Sequence, residues 1–443
     1  FAKLMGLLKQ YIAGLSAAFG AFCLGASLGW SGPMEKPVTN GDAYSFKVTR
    51  DDWGWVTSML TLGAACVCIP IGVLIGVIGR KMSMLVLVAP YLIGWCCIIW
   101  STHVYILFIG RFVLGACGGA FSVTAPMYTT EIAEVAVRGV MGCFFQLLIV
   151  HGILYGFGVG ALFKPMLVNM LCGFLPIVFF LVFMWMPESP VFLAQKDKVD
   201  KAEKALRWLR GKDADITADL NAMVAEAKKE KPKFIEGMSR KASKKGLGIS
   251  IMLMFLQQFT GINAIIFYAT SIFEEAGTGI SPDMCTVLLG IVQVFATIAA
   301  ILSVEKAGRK LLLLSSAACM CLTTFIMAIY FHWLTDSNVG WLPVIAICLF
   351  IIGFSFGFGP VPWLTMAELF AEDVKPLCGS ISGTCNWLFA FCVTKCFPLC
   401  LDEFGSAATF CGFAVISLGA CIFIIFLVPE TKGKTLNEIQ EKL

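Results

Sequence analysis

Between Gln257 and Phe273 the chain reads QQFTGINAIIFYATSIF, which sets Gln257, Gln258 and Asn263 in an apolar run with no charge before Glu274. A side-chain amide offers two donors and an acceptor oxygen, the chemistry that an uncharged, hydroxyl-rich solute such as a sugar needs. In a bilayer-length helix such groups are costly unless they face protein or water, so they mark an internal polar path. A lone glutamine there more often ties neighbouring helices together. Three amides within seven residues point instead to a site for a neutral sugar.

The elements that must hold these amides are dictated by composition. Of 443 residues, 58% are hydrophobic and only 14% charged, with a mean hydropathy of +0.84. A soluble chain of this length needs far more charge to cover its surface, so this is an all-α polytopic membrane protein embedded in a lipid bilayer. Apolar runs long enough to cross fall near 11–32, 53–78, 82–100, 104–128, 139–161, 166–186, 247–273, 284–304, 311–332, 341–367, 376–400 and 405–428. These are twelve transmembrane helices, six on each side of a polar insert. The expected organisation is an N-terminal six-helix bundle at 1–186, a helical linker at 187–246, a C-terminal bundle at 247–428 and a tail at 429–443.

Lys and Arg set the orientation. Lys3, Lys9, Arg80, Lys81, Arg138, the insert, Lys310, Lys375 and the tail share one side, while the opposite loops carry Glu274, Glu275, Asp283, Asp336, Asp402 and Glu403. Both termini and the insert are therefore expected in the cytoplasm, and the plasma membrane is the expected location. Loop 33–52 is the exception, with Lys36, Lys47 and Arg50 beside Glu35, Asp42, Asp51 and Asp52. Within the insert, Asp197 to Arg210 puts Val199, Ala202, Leu206 and Leu209 on one helical face, which is expected to pack under the bundle rather than on lipid. With Phe1 as its first residue, the sequence is expected to lack the true N-terminus and any sorting signal it carries. The 19 cysteines, among them Cys66, Cys96, Cys97 and Cys396, lie in apolar runs without disulfide or metal-ligand spacing and read as small hydrophobes.

The two halves repeat. Gly79-Arg80-Lys81 recurs as Gly308-Arg309-Lys310, Glu131 with Arg138 recurs as Glu368 with Lys375, and Pro187-Glu188-Ser189 recurs as Pro429-Glu430-Thr431. Parallel repeats imply an axis along the membrane normal and a solute site between the halves near the midplane. Arg80, Arg111, Glu131, Arg138 and Glu188, with Glu305, Arg309, Glu368, Lys375 and Glu430, are placed at cytoplasmic helix ends. They are expected to pair between halves as a latch that holds the cytoplasmic side shut and parts on inward opening.

These motifs identify the chain as resembling the sugar porters of the major facilitator superfamily across its full length. The resemblance is carried by Gly110-Arg111-Phe112, Pro126-Met127-Tyr128 with Glu131, Arg138-Gly139, Gln146, PESP at 187–190, QQFTGIN at 257–263, EKAGRK at 305–310, GPVPW at 359–363 with Glu368, Asn386-Trp387 and PETKGKT at 429–435. SLGWSGP at 27–33 and NWLFAFCVTK at 386–395 look most like class III facilitative glucose transporters, whereas KALRWLRGKDAD at 204–215 and the tail LNEIQEKL look like insect facilitated trehalose transporters. The resemblance implies the major facilitator fold and a sugar site made by Gln146, Gln257, Gln258, Asn263, Gln293, Trp363, Asn386 and Trp387. Amides meet the hydroxyls and indoles stack on the apolar face of the ring. The tenth helix, broken around Gly353, Gly357, Gly359 and Pro360, would bend to gate access. Departures from the family pattern are Val191 in place of an arginine, Gly76 and Val77 in place of a charged pair, and Ser355 in place of a glutamate; they imply a looser first-half lock.

Function follows from what the spans lack. No Asp or Glu lies near the centre of an apolar run, so a proton-coupled symporter would have to use His151 or Lys395. Facilitative uniport of trehalose or a glucose-type hexose by alternating access is the expectation, with symport as the alternative and a non-transporting sugar sensor as a further one. No catalytic triad, carboxylate pair, metal-ligand cluster or Walker-type loop is present, so neither an enzyme nor a cofactor or metal is expected. The net charge of +4 and the absence of basic runs interleaved with aromatics give no reason to expect nucleic acid; a monomer is expected.

Overall fold

A computed structural model describes residues 2–211, 214–228, 234–303, 307–335, 337–371, 374–434 and 436–441, and among these there is helix but no strand. Among the described residues, eleven helices are long and apolar enough to cross a membrane: Met5–Thr39, Arg50–Ile78, Arg80–Ile99, Val104–Ile132, Arg138–Leu162, Pro165–Phe183, Lys241–Phe267, Pro282–Ser303, Arg309–Leu334, Trp341–Leu369 and Lys375–Leu427. The last, at 53 residues, is two crossings joined at Gly405, whose φ of +78° and ψ of 166° leave the helical path. The result is twelve passes, here spans 1–12. An even number puts both chain ends and segment 187–246 on one face, the insert face; the opposite one is the far face.

Local chemistry starts and stops these helices. Span 2 opens on a capping box, in which Thr49 and Asp52 satisfy each other's backbone N–H groups. Span 6 opens on Pro165 at a position where no N–H is needed. Span 1 runs to Gly29 and continues as a short helix, Ser31–Thr39, on the far face. Within the first half, span 1 packs on span 5 and span 2 on span 4; within the second, span 9 packs on the last helix. Span 5 meets span 8 and span 2 meets span 11, which joins the halves.

The insert helix Val199–Arg210 buries Ala202, Ala205, Leu206 and Leu209, as its apolar stripe requires, and packs on span 1 and the short helix Pro190–Gln195. Arg210 closes it: its guanidinium donates to the Ile132 carbonyl at 2.8 Å and lies 3.4 Å from Glu134 and 3.5 Å from Asp219. Burial lowers the proton affinity of Arg210, and the two carboxylates oppose that shift.

Candidate substrate site

Span 7 is broken where its amides are. Gly261 sits at φ +103° in the left-handed region and separates Lys241–Phe259 from Ile262–Phe267. A Cβ there would also come within 2.9 Å of the Phe413 ring, so conformation and packing both demand glycine. Span 10 is broken on the facing side, around Gly357 to Pro360. Carbonyls freed by such a break must find donors in a dry interior. Gln257 supplies them: its Nε2 donates to the Phe358 carbonyl at 2.5 Å and to the Gly359 carbonyl at 3.1 Å.

From there the amides form one network. Asn386 Nδ2 donates to Gln257 Oε1 at 2.6 Å, Gln258 Nε2 donates to Asn386 Oδ1 at 3.2 Å, and Asn263 Nδ2 donates to Gln258 Oε1 at 2.6 Å. Spans 7, 10 and 11 are thereby tied together by four amides and two backbone carbonyls. Unused capacity differs along this chain of bonds. Gln257 and Asn386 are buried and nearly saturated; Gln258, also buried, keeps one donor and one acceptor position. Asn263 is half-buried and keeps one N–H and its whole Oδ1. The helix-tying role raised for such amides is thus real for Gln257, while Asn263 keeps the most free hydrogen-bonding capacity.

The other residues expected at the site differ in burial and in pairing. Gln146 on span 5 is half-buried, with no hydrogen bond from its amide among the described residues. Gln293 on span 8 is buried and its Oε1 has no partner, an acceptor in want of a donor. Trp363 is half-buried, its ring alongside Gly383 of span 11, whereas Trp387 is buried. Two grooves on the insert face, of about 1140 and 310 Å³, are lined by none of these residues.

The repeated charges build two matching cradles on the insert face. Glu188 accepts from the N–H groups of Arg80, Lys81 and Ser189, and Glu430 from those of Arg309, Lys310 and Lys432. A carboxylate at the start of spans 3 and 9 complements the helix dipole, and it comes so near that a Cβ on Gly79 or Gly308 would strike it. Burial alone would raise the pKa of Glu430, but its N–H donors outweigh that and lower it. Next to each cradle an arginine meets a glutamate: Arg80 Nη2 lies 2.6 Å from Glu131 and Arg309 Nη2 lies 2.9 Å from Glu368. Ser189 donates to Glu131 and Thr431 to Glu368.

In this structure the ion pairs defined on the insert face among the described residues stay within one half, the arrangement in which a latch that parts on inward opening is parted. Arg138 likewise turns back on the Ala133 carbonyl of its own half. Arg111 is not on that face at all. It lies seven residues into span 4 from the far end, fully buried, donating to the carbonyls of Ser27 and Val56 and to Ser31 Oγ, with the Trp30 ring 5.0 Å away. Counting along the span places it there, since span 4 begins at His103 after a far-face loop. Glu305 lies outside the described residues. Lys375 lines the smaller groove beside Arg309 and Glu368.

Contacts that bridge the halves are on the far face, and the sequence reading missed them. Lys36 pairs with Glu274, Arg50 with Asp402 at 2.7 Å and Asp51 with Lys395 at 2.6 Å. Tyr268 of the second half shares a 2.8 Å hydrogen bond with Thr57 of the first, and Gly32 lies against Thr270 and Ile266. The signal was there: loop 33–52 sets Lys36, Lys47 and Arg50 on a face where the loops bearing Glu274, Glu275, Asp402 and Glu403 are acidic. Lys395, also set over the Trp55 ring at 4.6 Å, belongs to this closure. His151 bonds the Leu147 carbonyl of its own helix.

The model of the sugar (and other) transporter family matches residues 14–443. The chain belongs to that family. The facilitated trehalose transporter Tret1 of Drosophila mojavensis is 35% identical over 98% of this chain, which spans about half the length of that relative, 51%. The Tret1-2 homolog of Drosophila simulans is 34% identical over 98% of this chain and 91% of its own length. The fold is that of the major facilitator superfamily. The inward open xylose transporter XylE from E. coli superposes with a TM-score of 0.80 at 21% identity over 98% of each chain, and its partially occluded form with 0.79 at 23% over 96% of this chain and 99% of that one. The broken seventh and tenth spans lie within the matched residues 14–443.

Proposed function

We propose that the protein is a facilitative carrier of a neutral sugar, trehalose or a glucose-type hexose, working by alternating access with its insert face in the cytoplasm. The observation that carries the reading is the amide network of Gln257, Gln258, Asn263 and Asn386 at the breaks of spans 7 and 10. It provides neutral donors and acceptors next to backbone that can bend, and its free capacity lies on Asn263, with Gln146 and Gln293 contributing further unpaired groups. Trp363 offers the apolar ring face of a pyranose a flat partner. The trehalose carriers named above support the substrate class at about a third identity.

Uniport is favoured by how the buried cation is held. Arg111 rests on carbonyls, a hydroxyl and an indole, with no carboxylate in ion-pair distance among the described residues. A carrier that moves protons with its solute needs a group that can take and release one inside the membrane, and His151 is tied to its own helix. The test is uptake of labelled trehalose and labelled glucose into proteoliposomes, with and without an imposed pH gradient. Uptake of either that stops at equilibrium whatever the gradient is expected. Accumulation driven by the gradient would establish symport, and binding without uptake would establish a sensor.

A further inference from the structure

One carboxyl in the far-face closure stands apart from the ion pairs. Glu35 lies in the short helix Ser31–Thr39, with only 8% of its surface exposed, and its Oε2 is 2.5 Å from Ser271 Oγ of the other half. Among the described residues this is the one side-chain hydrogen bond of its carboxyl. Every cation nearby is engaged elsewhere: Lys36 with Glu274, Arg50 with Asp402 and Lys395 with Asp51. The helix packs on Ala269–Glu275, Ile262–Phe267, span 2, span 5 and the rest of span 1. Their remaining titratable groups are also taken. Glu275 accepts from Ser406, Asp52 caps Thr49, Tyr268 bonds Thr57 and the Thr394 carbonyl, and His151 bonds Leu147. A charge withdrawn from water, bonded to one hydroxyl and near cations that already answer Glu274 and Asp402, is costly, whereas the neutral acid in the same place is not.

We propose that Glu35 is a proton-sensitive clasp of the far-face gate, holding a proton while the gate is shut against Ser271 and losing it to far-side water when the gate opens. Closing removes the carboxyl from water and so favours its protonated form. The shut state is therefore strongest at low far-side pH and weakens as pH rises. Glu35 exchanges its proton only with the far side, so far-side pH sets how readily the gate reopens while no proton crosses with the solute. The inference rests on the alternating-access reading above, and it is tested without any sugar.

The measurement is hydrogen exchange by mass spectrometry on the full chain in lipid nanodiscs, from about pH 5.5 to about pH 8.5, corrected for the intrinsic chemical rate. Peptides covering 31–52 and 262–276 are expected to exchange about tenfold faster at the upper pH, the change that a one-unit difference in proton affinity between open and shut gates carries. Glu35→Gln, a permanent stand-in for the protonated acid, is expected to stay protected at every pH, and Glu35→Asp to keep a pH step. A wild-type protein without the step, or a Gln variant that retains it, would overturn the proposal. A pH step in a protein that takes up neither sugar would instead overturn the transport reading and leave the gate standing.

Discussion

The two faces of the molecule use the same kind of interaction for opposite ends. On the insert face, arginine and glutamate meet within each half, Arg80 with Glu131 and Arg309 with Glu368, beside carboxylates that cap spans 3 and 9. On the far face, three ion pairs and the Tyr268–Thr57 bond run from one half to the other. Charges that pair inside a half make it a rigid body; charges that pair across halves choose which side is shut. The structure is thus sealed on the far face, while Arg80–Glu131 and Arg309–Glu368 on the insert face each brace one half. In the opposite state of the proposed cycle, the insert-face groups would exchange partners and bridge the halves.

The largest effect is expected between the faces, where no charge is involved. Gln257→Ala strands the Phe358 and Gly359 carbonyls and the Asn386 amide, and unpaired buried groups cost about 1–3 kcal/mol each. Initial uptake per molecule at the membrane is expected to fall about a hundredfold or more, at about 1.4 kcal/mol per decade. Asn263→Ala spares most of the network and should cost about tenfold, mainly as weaker sugar binding. Full activity in both would sink the site assignment.

Breaking the insert-face pairs should act on balance rather than on affinity. Glu368 is held inside one half by Arg309 and Thr431 here and would bridge the halves in the opposite state; with Glu368→Ala, loss of that bridge is expected to favour the far-shut state about tenfold. Sugar affinities measured from the two sides would check it; equal weakening from both would contradict it. Breaking the far face should push the other way and less. Lys395→Met removes a partly solvated pair with Asp51 and is expected to favour far-side opening about two- to fivefold. Raising salt sharpens the contrast further, since Lys36–Glu274 and Arg50–Asp402 are exposed and the Arg80–Glu131 pair is buried. The Glu430 cap should hold through neutral pH and fail only in acid below the ordinary carboxylate range, because its proton affinity is lowered in the folded state.

Most of the fold was legible because bilayer length and apolar composition leave few alternatives. Each span lies within a few residues of its apolar run, and the break of span 10 was readable at Gly357, Gly359 and Pro360, whereas run 247–273 was read straight through Gly261. What resisted were choices of partner. Spacing places Glu131 and Glu368 on the insert face, but both an arginine in the same half and a cation across the interface satisfy them, and the conformational state decides which. Arg111 was misplaced by being grouped with its motif instead of being counted along span 4. The far-face pairs went unread because loop 33–52 was treated as an exception to the charge rule instead of as a match for Glu274 and Asp402. The saturation of Gln257 by span 10 carbonyls depends on how the break folds back, which no residue pattern states.

The most direct test of alternation is to measure one inter-half distance on each face in the same preparation. Spin labels carried on unnatural residues, needed because the chain has 19 cysteines, would be placed at exposed Asp42 and Ser281 on the far face and at exposed Val135 and Lys244 on the insert face. With trehalose or glucose added, the far-face distance is expected to lengthen and the insert-face distance to shorten in the same fraction of molecules. Distances that both lengthen, or that ignore both sugars, would contradict the account.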